Sequence, residues 1–400
     1  MLLGLRSFFS RGRASLLLVA AFVTACGGGV DSGGTGAPAT SFASGPITGF
    51  GSVIVNGVHY DDRSATVSDA DGNLRSRTDL RLGMTIEARG TAITVDADGN
   101  DASTATSIVF GSEIVGPVAA NDLVARTLTV LGHAVDTSTT TVFDNALAGG
   151  QAALAPGDIV EVYASFDAAT GRYAATRIER KTAVGAFVLR GIVSSFDATA
   201  RTFALGATRI SYAGLPAAGL AATLADGRFV RVSVGLVPGA DGVFAAVRIT
   251  DGSPAIGERE DVKIKGLVSA FTSATQFSVN GTPVDAHNAQ FPDGMAGVAL
   301  GTRVEVEGST AAGVLLATRV EVVSDGEESG KQFEVQGTIE SIDTAGKTFV
   351  MRDVIVDYSG SVDFRDGTVA DLAAGRDVRA RGTISADGTR LQAARIDFRH

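Results

Sequence analysis

Residues 262–284 of this 400-residue chain read VKIKGLVSAFTSATQFSVNGTPV, and this stretch decides the fold. Apolar and polar residues alternate at 262–265 and again at 277–279, a period of two that indicates β-strands. Asn280-Gly281 lies between alternating runs and predicts a tight hairpin, because both residues tolerate positive φ. A second hairpin is predicted downstream, where VEVEG at 304–308 is followed by ATRVEV at 317–322.

The same pattern recurs along the chain, and three sequence marks define it. The first is Gly-x-[Val/Ile], the second is a glycine followed by alternating apolar and charged residues, and the third is a short Ala-containing strand. Recurrence at intervals of 70 to 77 residues predicts tandem copies of one unit. The first mark begins at Gly45, Gly116, Gly191, Gly266 and Gly337, the second at Gly83, Gly157, Gly227, Gly301 and Gly375, and the third at Ala105, Ala175, Ala246, Ala317 and Ala394.

Each unit is predicted to contain three strands, a short helical turn and two further strands. Ala/Leu-rich stretches such as 146–154 and 215–224 supply the helical turn. This order predicts an all-β protein of five small OB-like barrels, and closure into a barrel removes exposed strand edges. An SH3-like barrel, with the Ala-rich stretch as a loop, is the alternative. The predicted units are 45–110, 112–180, 185–250, 260–323 and 331–398.

The linkers between the predicted units differ in character. Ile108-Val109-Phe110 continues almost directly into Glu113-Ile114-Val115, which predicts a stiff junction between the first two units. Residues 251–260 and 324–330 are polar, acidic and glycine-containing, and they are predicted to be solvated hinges.

The N-terminal residues have the layout of a secretory signal peptide. A basic segment with three arginines precedes small and apolar residues at 14–25, too few to cross a bilayer. Val23-Thr24-Ala25-Cys26 resembles the lipobox of bacterial lipoproteins, which implies cleavage after residue 25 and acylation of Cys26. In Gram-negative lipoproteins an aspartate directly after the cysteine tends to retain the protein at the inner membrane. The residue here is Gly27, so the resemblance implies the outer membrane, with the protein facing the periplasm or the cell surface. Residues 26–44 are predicted to form the lipid anchor and a flexible Gly/Ser-rich tether.

The segment GPITGFGSVIVNGVHYD at 45–61, followed by repeated G-x-V and VEVxG motifs, resembles a family of Gram-negative lipoproteins. Members of that family carry tandem copies of a bacterial domain of unknown function. The resemblance covers nearly all of the chain after the signal peptide. It implies no catalytic or binding residues, because the family has no established chemistry.

Composition restricts the possible functions. The net charge is −10, aromatic residues make up 6% of the chain, and tryptophan is absent. Single-stranded nucleic acid binding uses a basic groove with stacking aromatics, so no nucleic acid partner is expected. Carbohydrate-binding modules usually stack sugars on tryptophan, so the absence of tryptophan argues against such a module. Cys26 is the only cysteine, so an intramolecular disulfide and a cysteine-rich metal site are both excluded.

Two acidic runs suggest calcium sites but fit hairpin turns better. Residues 69–73 and 96–101 are rich in aspartate, yet neither has the glycine and glutamate spacing of an EF-hand. The second run lies in the hairpin between the last two strands of its unit. Glycine recurs in that hairpin in every unit whereas the acids do not, so the position requires positive φ and not a carboxylate.

Other candidate motifs also have structural interpretations. Gly346-Lys347-Thr348 suggests a phosphate loop, but it leads into a strand, and a phosphate loop must open a helix. The four histidines lie in different units or at the C-terminus, and none has metal-ligand spacing. They are His59, His133, His287 and His400.

The sequence therefore predicts no catalytic, cofactor-binding or metal-binding residue, and one lipidation site, Cys26. The leading hypothesis is a non-enzymatic, lipid-anchored envelope protein that acts as an interaction or structural module through a row of small barrels. Its partner would be an unknown envelope protein or glycan. The alternatives are a ligand-binding protein for an oligosaccharide, small molecule or cation, and a hydrolase.

Overall fold

The computed structural model describes residues 40–216, 224–324, 327 and 330–399. The signal peptide, Cys26 and the tether up to residue 39 lie outside these residues, as do His400 and most of the predicted hinge at 324–330. The described chain is all-β, apart from short 3-10 helices. None of its helices is long and apolar enough to span a membrane.

The strands fall into segments that we name barrels A to E. Barrel A comprises β1 Thr40–Phe50, β2 Val53–Val55, β3 Val58–Asp61, β4 Thr66–Asp69, β5 Leu74–Arg75, β6 Thr85–Thr91, β7 Thr94–Val95 and β8 Asp101–Phe110, with a 3-10 helix at Arg77–Asp79. Barrel B comprises β9 Ile114–Asp122, β10 Thr127–Val130, β11 His133–Asp136, β12 Val142–Phe143, β13 Ile159–Asp167 and β14 Arg172–Lys181, with a 3-10 helix at Gly150–Ala153. Barrel C comprises β15 Phe187–Asp197, β16 Thr202–Leu205, β17 Thr208–Ser211, β18 Phe229–Val234 and β19 Phe244–Asp251. Barrel D comprises β20 Arg259–Ser273, β21 Gln276–Val279, β22 Thr282–Asp285, β23 Arg303–Ala311 and β24 Val314–Val322, with a 3-10 helix at Met295–Gly297. Barrel E comprises β25 Phe333–Thr338, β26 Ser341–Asp343, β27 Thr348–Met351, β28 Val354–Asp357, β29 Asp363–Arg365, β30 Asp377–Ile384 and β31 Leu391–Phe398, with a 3-10 helix at Val369–Asp371.

Barrel D shows how the strands close into a small barrel. Strands β20, β21 and β22 form an antiparallel meander. Strand β22 then pairs in parallel with β24, β24 pairs antiparallel with β23, and β23 pairs antiparallel with β20. The same closed pairing, with its parallel contact between the third and the last strand, recurs in the other barrels. That these are five OB-like domains with the boundaries given above stays a prediction.

The recurring glycines form a backbone contact between the first and fourth strands. In barrel D the Gly301 amide donates to the carbonyl of Val268 at 2.9 Å, and the Val268 amide donates to Thr302 O at 2.9 Å. The matching pairs in the other barrels join Gly83 to Ile47, Gly157 to Val118, Gly227 to Val193 and Gly375 to Ile339. All of these second-mark glycines have φ between 80° and 93°, a region that side chains disfavour. The first two sequence marks therefore recur because they hydrogen-bond to each other.

The predicted hairpin turns are present. Asn280 and Gly281 have φ of 49° and 84°, and Asn56 and Gly57 have 49° and 74°. In barrel B the Ala-rich stretch forms only a 3-10 turn at Gly150–Ala153, while residues 217–223 of the second such stretch lie outside the described residues.

The barrels do not form a simple row, because barrel A contacts barrels distant in sequence. Its first strand pairs in parallel with β20 of barrel D, from Ser41↔Asp261 to Ser44↔Ile264. The same strand then pairs in parallel with β25 of barrel E at Gly49↔Glu334. Barrels B and C join through antiparallel pairing of β9 with β15. Buried side chains of A and E, together with Val142 and Tyr163 of barrel B, form one apolar core, and side chains of B and C form another.

Two predictions about flexible segments are wrong. Residues 40–44, assigned to the tether, belong to β1, and Phe42 is fully buried in the core of barrel D because the strand extends across to that barrel. Residues 251–260 are not a solvated hinge: Ile256 is buried, and the carbonyls of Gly252 and Ala255 accept hydrogen bonds from arginines of barrels C and A. The stiff link between A and B is confirmed, because Ser112 and Glu113 are both buried.

Candidate functional site: a polar cleft on barrel A

A cleft of about 730 Å³ lies between barrel A and barrel E. Barrel A contributes the turn between its first and second strands, the outward side chains of β3, and the hairpin that connects β6 with β8. Barrel E forms the opposite wall with residues of β25 and β30 and near its C-terminus. The polar side chains that line this barrel A cleft include Ser52, His59, Asp61, Arg63, Thr94, Asp96, Asp98, Asn100, Glu334, Gln336, Arg379 and Arg399.

The floor of the cleft is rigid because a carboxylate organises the hairpin. Asp96 Oδ1 accepts hydrogen bonds from the backbone amides of Asp98 at 2.9 Å and Asn100 at 2.8 Å. These bonds favour the charged form and lower the pKa of Asp96. Gly99 completes the turn with φ of 85°. The acidic run that suggested calcium therefore closes a turn, as the comparison between units predicts.

The other acidic run, at 69–73, forms the same turn. Asp69 Oδ1 accepts from the amides of Asp71 at 3.0 Å and Asn73 at 2.9 Å. Asp71 points toward barrel C and pairs with Arg231 at 2.7 Å. In the part of the chain that the structure describes, no group of three or more His, Cys, Asp or Glu side chains is arranged to hold a metal ion.

Ion pairs connect the two walls of the cleft. Arg379 of β30 lies 3.2 Å from Asp98 of the barrel A hairpin. Its Nε also donates to Gln336 Oε1 at 3.0 Å and lies 3.3 Å from Glu334. Glu334 in turn pairs with Arg381 at 2.5 Å. The charges that line the cleft are thus largely paired with one another, which leaves a polar surface of nearly balanced charge.

His59 is the residue that distinguishes barrel A at this face. It occupies the outward position of the third strand, where the other barrels carry Ala134, Arg209, Pro283 and Ile355. Burial lowers the pKa of the His59 imidazole, and the carboxylates of Glu334 and Asp96 oppose this shift only in part. His59 is therefore neutral at pH 7, with one nitrogen able to donate and the other able to accept a hydrogen bond.

The remaining histidines are not part of the cleft. His133 is buried where barrels B and C meet, and its Nε2 lies 3.1 Å from Thr208 Oγ1. His287 is exposed and pairs with Asp285 of its own turn at 2.7 Å. His400 and the lipidation candidate Cys26 lie outside the described residues.

The Gly346-Lys347-Thr348 motif is a turn. Lys347 has φ of 51° and precedes β27, and Arg126 and Arg201 have φ of 53° at the matching positions before β10 and β16. The segment leads into a strand and has no helix to direct amides at a phosphate. The structural interpretation of this motif is confirmed.

Sequence reasoning missed the cleft as a site. Its two walls are almost 300 residues apart in sequence, and no periodic pattern predicts that barrel E lies on barrel A. The available signal was the alignment of the units, which places a histidine at an outward strand position only in the first unit.

Comparison with known families agrees with the tandem organisation. Residues 115–179, 265–321 and 336–397 match one family model. That family is described as a domain of unknown function (DUF5666). The three DUF5666 segments coincide with most of barrels B, D and E. No curated protein matches the chain.

Proposed function

We propose that this protein is a non-enzymatic binding module of the bacterial cell envelope, composed of five OB-like barrels and anchored by lipid on Cys26. The barrel A cleft is its binding site, and its ligand is an uncharged polar molecule such as a segment of an envelope glycan. One observation carries the proposal: the cleft is built from the first turn, the third strand and the last hairpin of the barrel. These are the elements through which OB-folds bind oligonucleotides and oligosaccharides.

The chemistry of the cleft favours a glycan over a nucleic acid. The lining contains both donors, such as Asn100 and Arg379, and acceptors, such as Asp98 and Glu334. A hydroxyl group both donates and accepts, so a sugar can satisfy such a mixed surface. A polyanion would instead require a basic groove with aromatic stacking, and no Phe, Tyr or Trp side chain lines the cleft.

A binding experiment tests the cleft directly. The chain without residues 1–26 is titrated calorimetrically with uncharged oligosaccharides, such as oligomers of N-acetylglucosamine. We expect saturable binding that His59→Trp abolishes, because the indole would fill the cleft. Arg209→Trp is the matched control, since Arg209 has the equivalent, exposed position in barrel C. If both variants bound the glycan equally well, the cleft would not be its binding site. If the protein bound an envelope protein and no glycan, the assignment of the ligand would be wrong.

The anchor is tested separately. Cys26 follows a basic segment, an apolar segment and small residues in the order of a lipoprotein signal. Cys26→Ser should abolish metabolic labelling with palmitate and leave unprocessed precursor, while Ser32→Ala in the tether should change neither. Unchanged labelling of Cys26→Ser would refute the lipid anchor without affecting the cleft.

A further inference from the structure

Two further hollows adjoin the barrel A cleft. The first, of about 440 Å³, lies where barrels A, D and E meet, and it shares His59 and Glu334 with the cleft. We name it the D-side hollow. The second, of about 550 Å³, lies between barrel E and the 3-10 helix of barrel A, and it shares Gly51 and Gln336 with the cleft. We name it the helix-side hollow, and the cleft with both hollows the A–E groove.

The floor of the A–E groove is the outward face of two paired strands of barrel E, β25 and β30. On β25 the outward residues alternate with the core residues Phe333 and Val335, and on β30 with Val378 and Ala380. The register between the two strands puts the outward residues into three cross-strand pairs. In order along the strands, these pairs are Glu334 with Arg381, Gln336 with Arg379, and Thr338 with Asp377.

The three pairs line the three parts of the groove in the same order. Both members of the first pair line the D-side hollow, both members of the second line the cleft, and both members of the third line the helix-side hollow. Successive pairs are two residues apart, which is about 6–7 Å along a strand. The three parts therefore lie side by side on one face of the same sheet, and a ligand that extends past either end of the cleft enters a neighbouring hollow.

Opposite charges are paired in the two outer hollows, as they are in the cleft. In the helix-side hollow, Arg81 of barrel A lies 2.8 Å from Asp353 of barrel E. In the D-side hollow, Lys265 stands directly opposite Glu305 across β20 and β23. Hydroxyl groups can donate to the carboxylates and accept from the cationic groups of such pairs. The outer hollows therefore suit the same uncharged, hydroxyl-rich ligand as the cleft.

We propose that the A–E groove binds a linear, uncharged oligosaccharide lengthwise, with one stretch of the chain in the cleft and the neighbouring stretches in the two outer hollows. This inference rests on the proposed function and adds that the ligand is an extended chain and not a single sugar. Each part of the groove has a volume within the range of about 300–1,000 Å³ that holds one small ligand. Three such volumes in succession along one sheet face match a chain of repeating units.

Oligomers of N-acetylglucosamine from one to six units test the length of the site. Calorimetric titration of the chain without residues 1–26 should give an affinity that rises at least tenfold from two units to six, because the added units enter the outer hollows. A smaller rise would overturn the extended groove and leave the cleft as the binding site. If no oligomer of any length bound, the proposed function itself would be refuted, and the groove with it.

Two variants test the ends of the groove. Thr338→Trp places a bulky side chain in the helix-side hollow, and Gln332→Trp does so in the D-side hollow. Each should reduce the gain in affinity between two and six units at least fivefold. Gln392→Trp is the matched control and should keep the wild-type gain, because Gln392 is an exposed strand residue of barrel E that lines no part of the groove.

Far-UV circular dichroism and thermal melting show whether each variant is folded. Thr338→Gln replaces the tryptophan variant at that position if the latter does not fold, and it should reduce the same gain in affinity. If folded variants at both ends kept the gain of the Gln392→Trp control, the outer hollows would not hold the ligand, and the proposal would be wrong.

Discussion

At the scale of single residues, Gly49 determines where barrel E can dock. A Cβ at this position would lie 2.5 Å from the carbonyl oxygen of Glu334 and 2.7 Å from Ile54 Cδ1. Backbone of the two barrels can approach this closely only because position 49 has no side chain. The equivalent residues in the other barrels are Ala120, Ser195, Ala270 and Ser341. Barrel A is thus the barrel whose sequence permits this contact.

We therefore predict that Gly49→Ala lowers the free energy of unfolding by about 1–3 kcal/mol, the usual effect of overpacking. Gly185→Ala should change it by less than about 0.5 kcal/mol, because a Cβ there would meet nothing within 4 Å. Chemical denaturation of both variants measures the difference. Equal stability of the two would mean that the β1–β25 contact is not as close as described.

The burial of His133 leads to a second prediction at the scale of single residues. Burial lowers its pKa to about 4, well below the ordinary value of 6.5. Between these two values the unfolded chain binds a proton that the folded chain does not, so stability falls as the pH falls below 6.5. From pH 7.5 to pH 5, this residue alone should cost about 2 kcal/mol.

Denaturation of the wild type and of His133→Gln at both pH values measures this contribution. The variant should lose less stability on acidification than the wild type, whereas His287→Gln, which alters an exposed histidine, should behave like the wild type. If His133→Gln loses as much stability as the wild type, protonation of His133 does not limit the contact between barrels B and C.

At the scale of elements, the hairpin that forms the floor of the cleft depends on Asp96. Because its carboxylate is occupied by backbone amides, millimolar calcium should leave the melting temperature unchanged. A ligand of the native state at a hundred times its dissociation constant would add about 2.7 kcal/mol, which is easily detected. Asp96→Ala should increase amide hydrogen exchange at 97–101 and weaken ligand binding in the cleft.

Asp69→Ala is the matched control for this prediction. It opens an equivalent turn outside the barrel A cleft, so exchange should increase at 70–73 while binding stays unchanged. A melting temperature that rises in calcium and falls again with chelator would instead establish a metal site in one of the two turns.

At the scale of the whole molecule, the sequence predicts the strands and turns that recur from unit to unit, but not the contacts that are particular to one pair of barrels. The strands, the hairpins at Asn56-Gly57 and Asn280-Gly281, and the turn at Lys347 follow from local rules that every unit obeys. The packing of A on D and E depends on surface residues such as Gly49 and Arg379, which follow no period. The cleft arises from that packing. The packing of the segment 251–260 is absent from the sequence pattern for the same reason, since Arg190 and Arg89, which bind its carbonyls, lie far from it in sequence.

The shared core leads to a prediction about cooperativity. Phe349 on β27 of barrel E and Phe203 on β16 of barrel C have equivalent positions, each as the second residue of its strand, and both are almost fully buried. Phe349 belongs to the apolar core that includes side chains of barrel A, and Phe203 to the core formed with barrel B. Replacement of either by alanine should cost about 3–5 kcal/mol. The loss of stability should extend to barrel A when Phe349 is replaced and to barrel B when Phe203 is replaced.

Amide hydrogen exchange resolves this difference by segment. Phe349→Ala should reduce protection in β1 and β2 of barrel A as well as in barrel E, and Phe203→Ala should reduce it in barrels B and C. Phe349→Leu serves the same purpose if the alanine variant does not fold. If protection in β1 and β2 stayed at the wild-type level while barrel E opened, the two barrels would unfold independently. The wall that barrel E gives to the cleft could then separate from barrel A, whereas joint opening would mean that the cleft exists only while both barrels are folded.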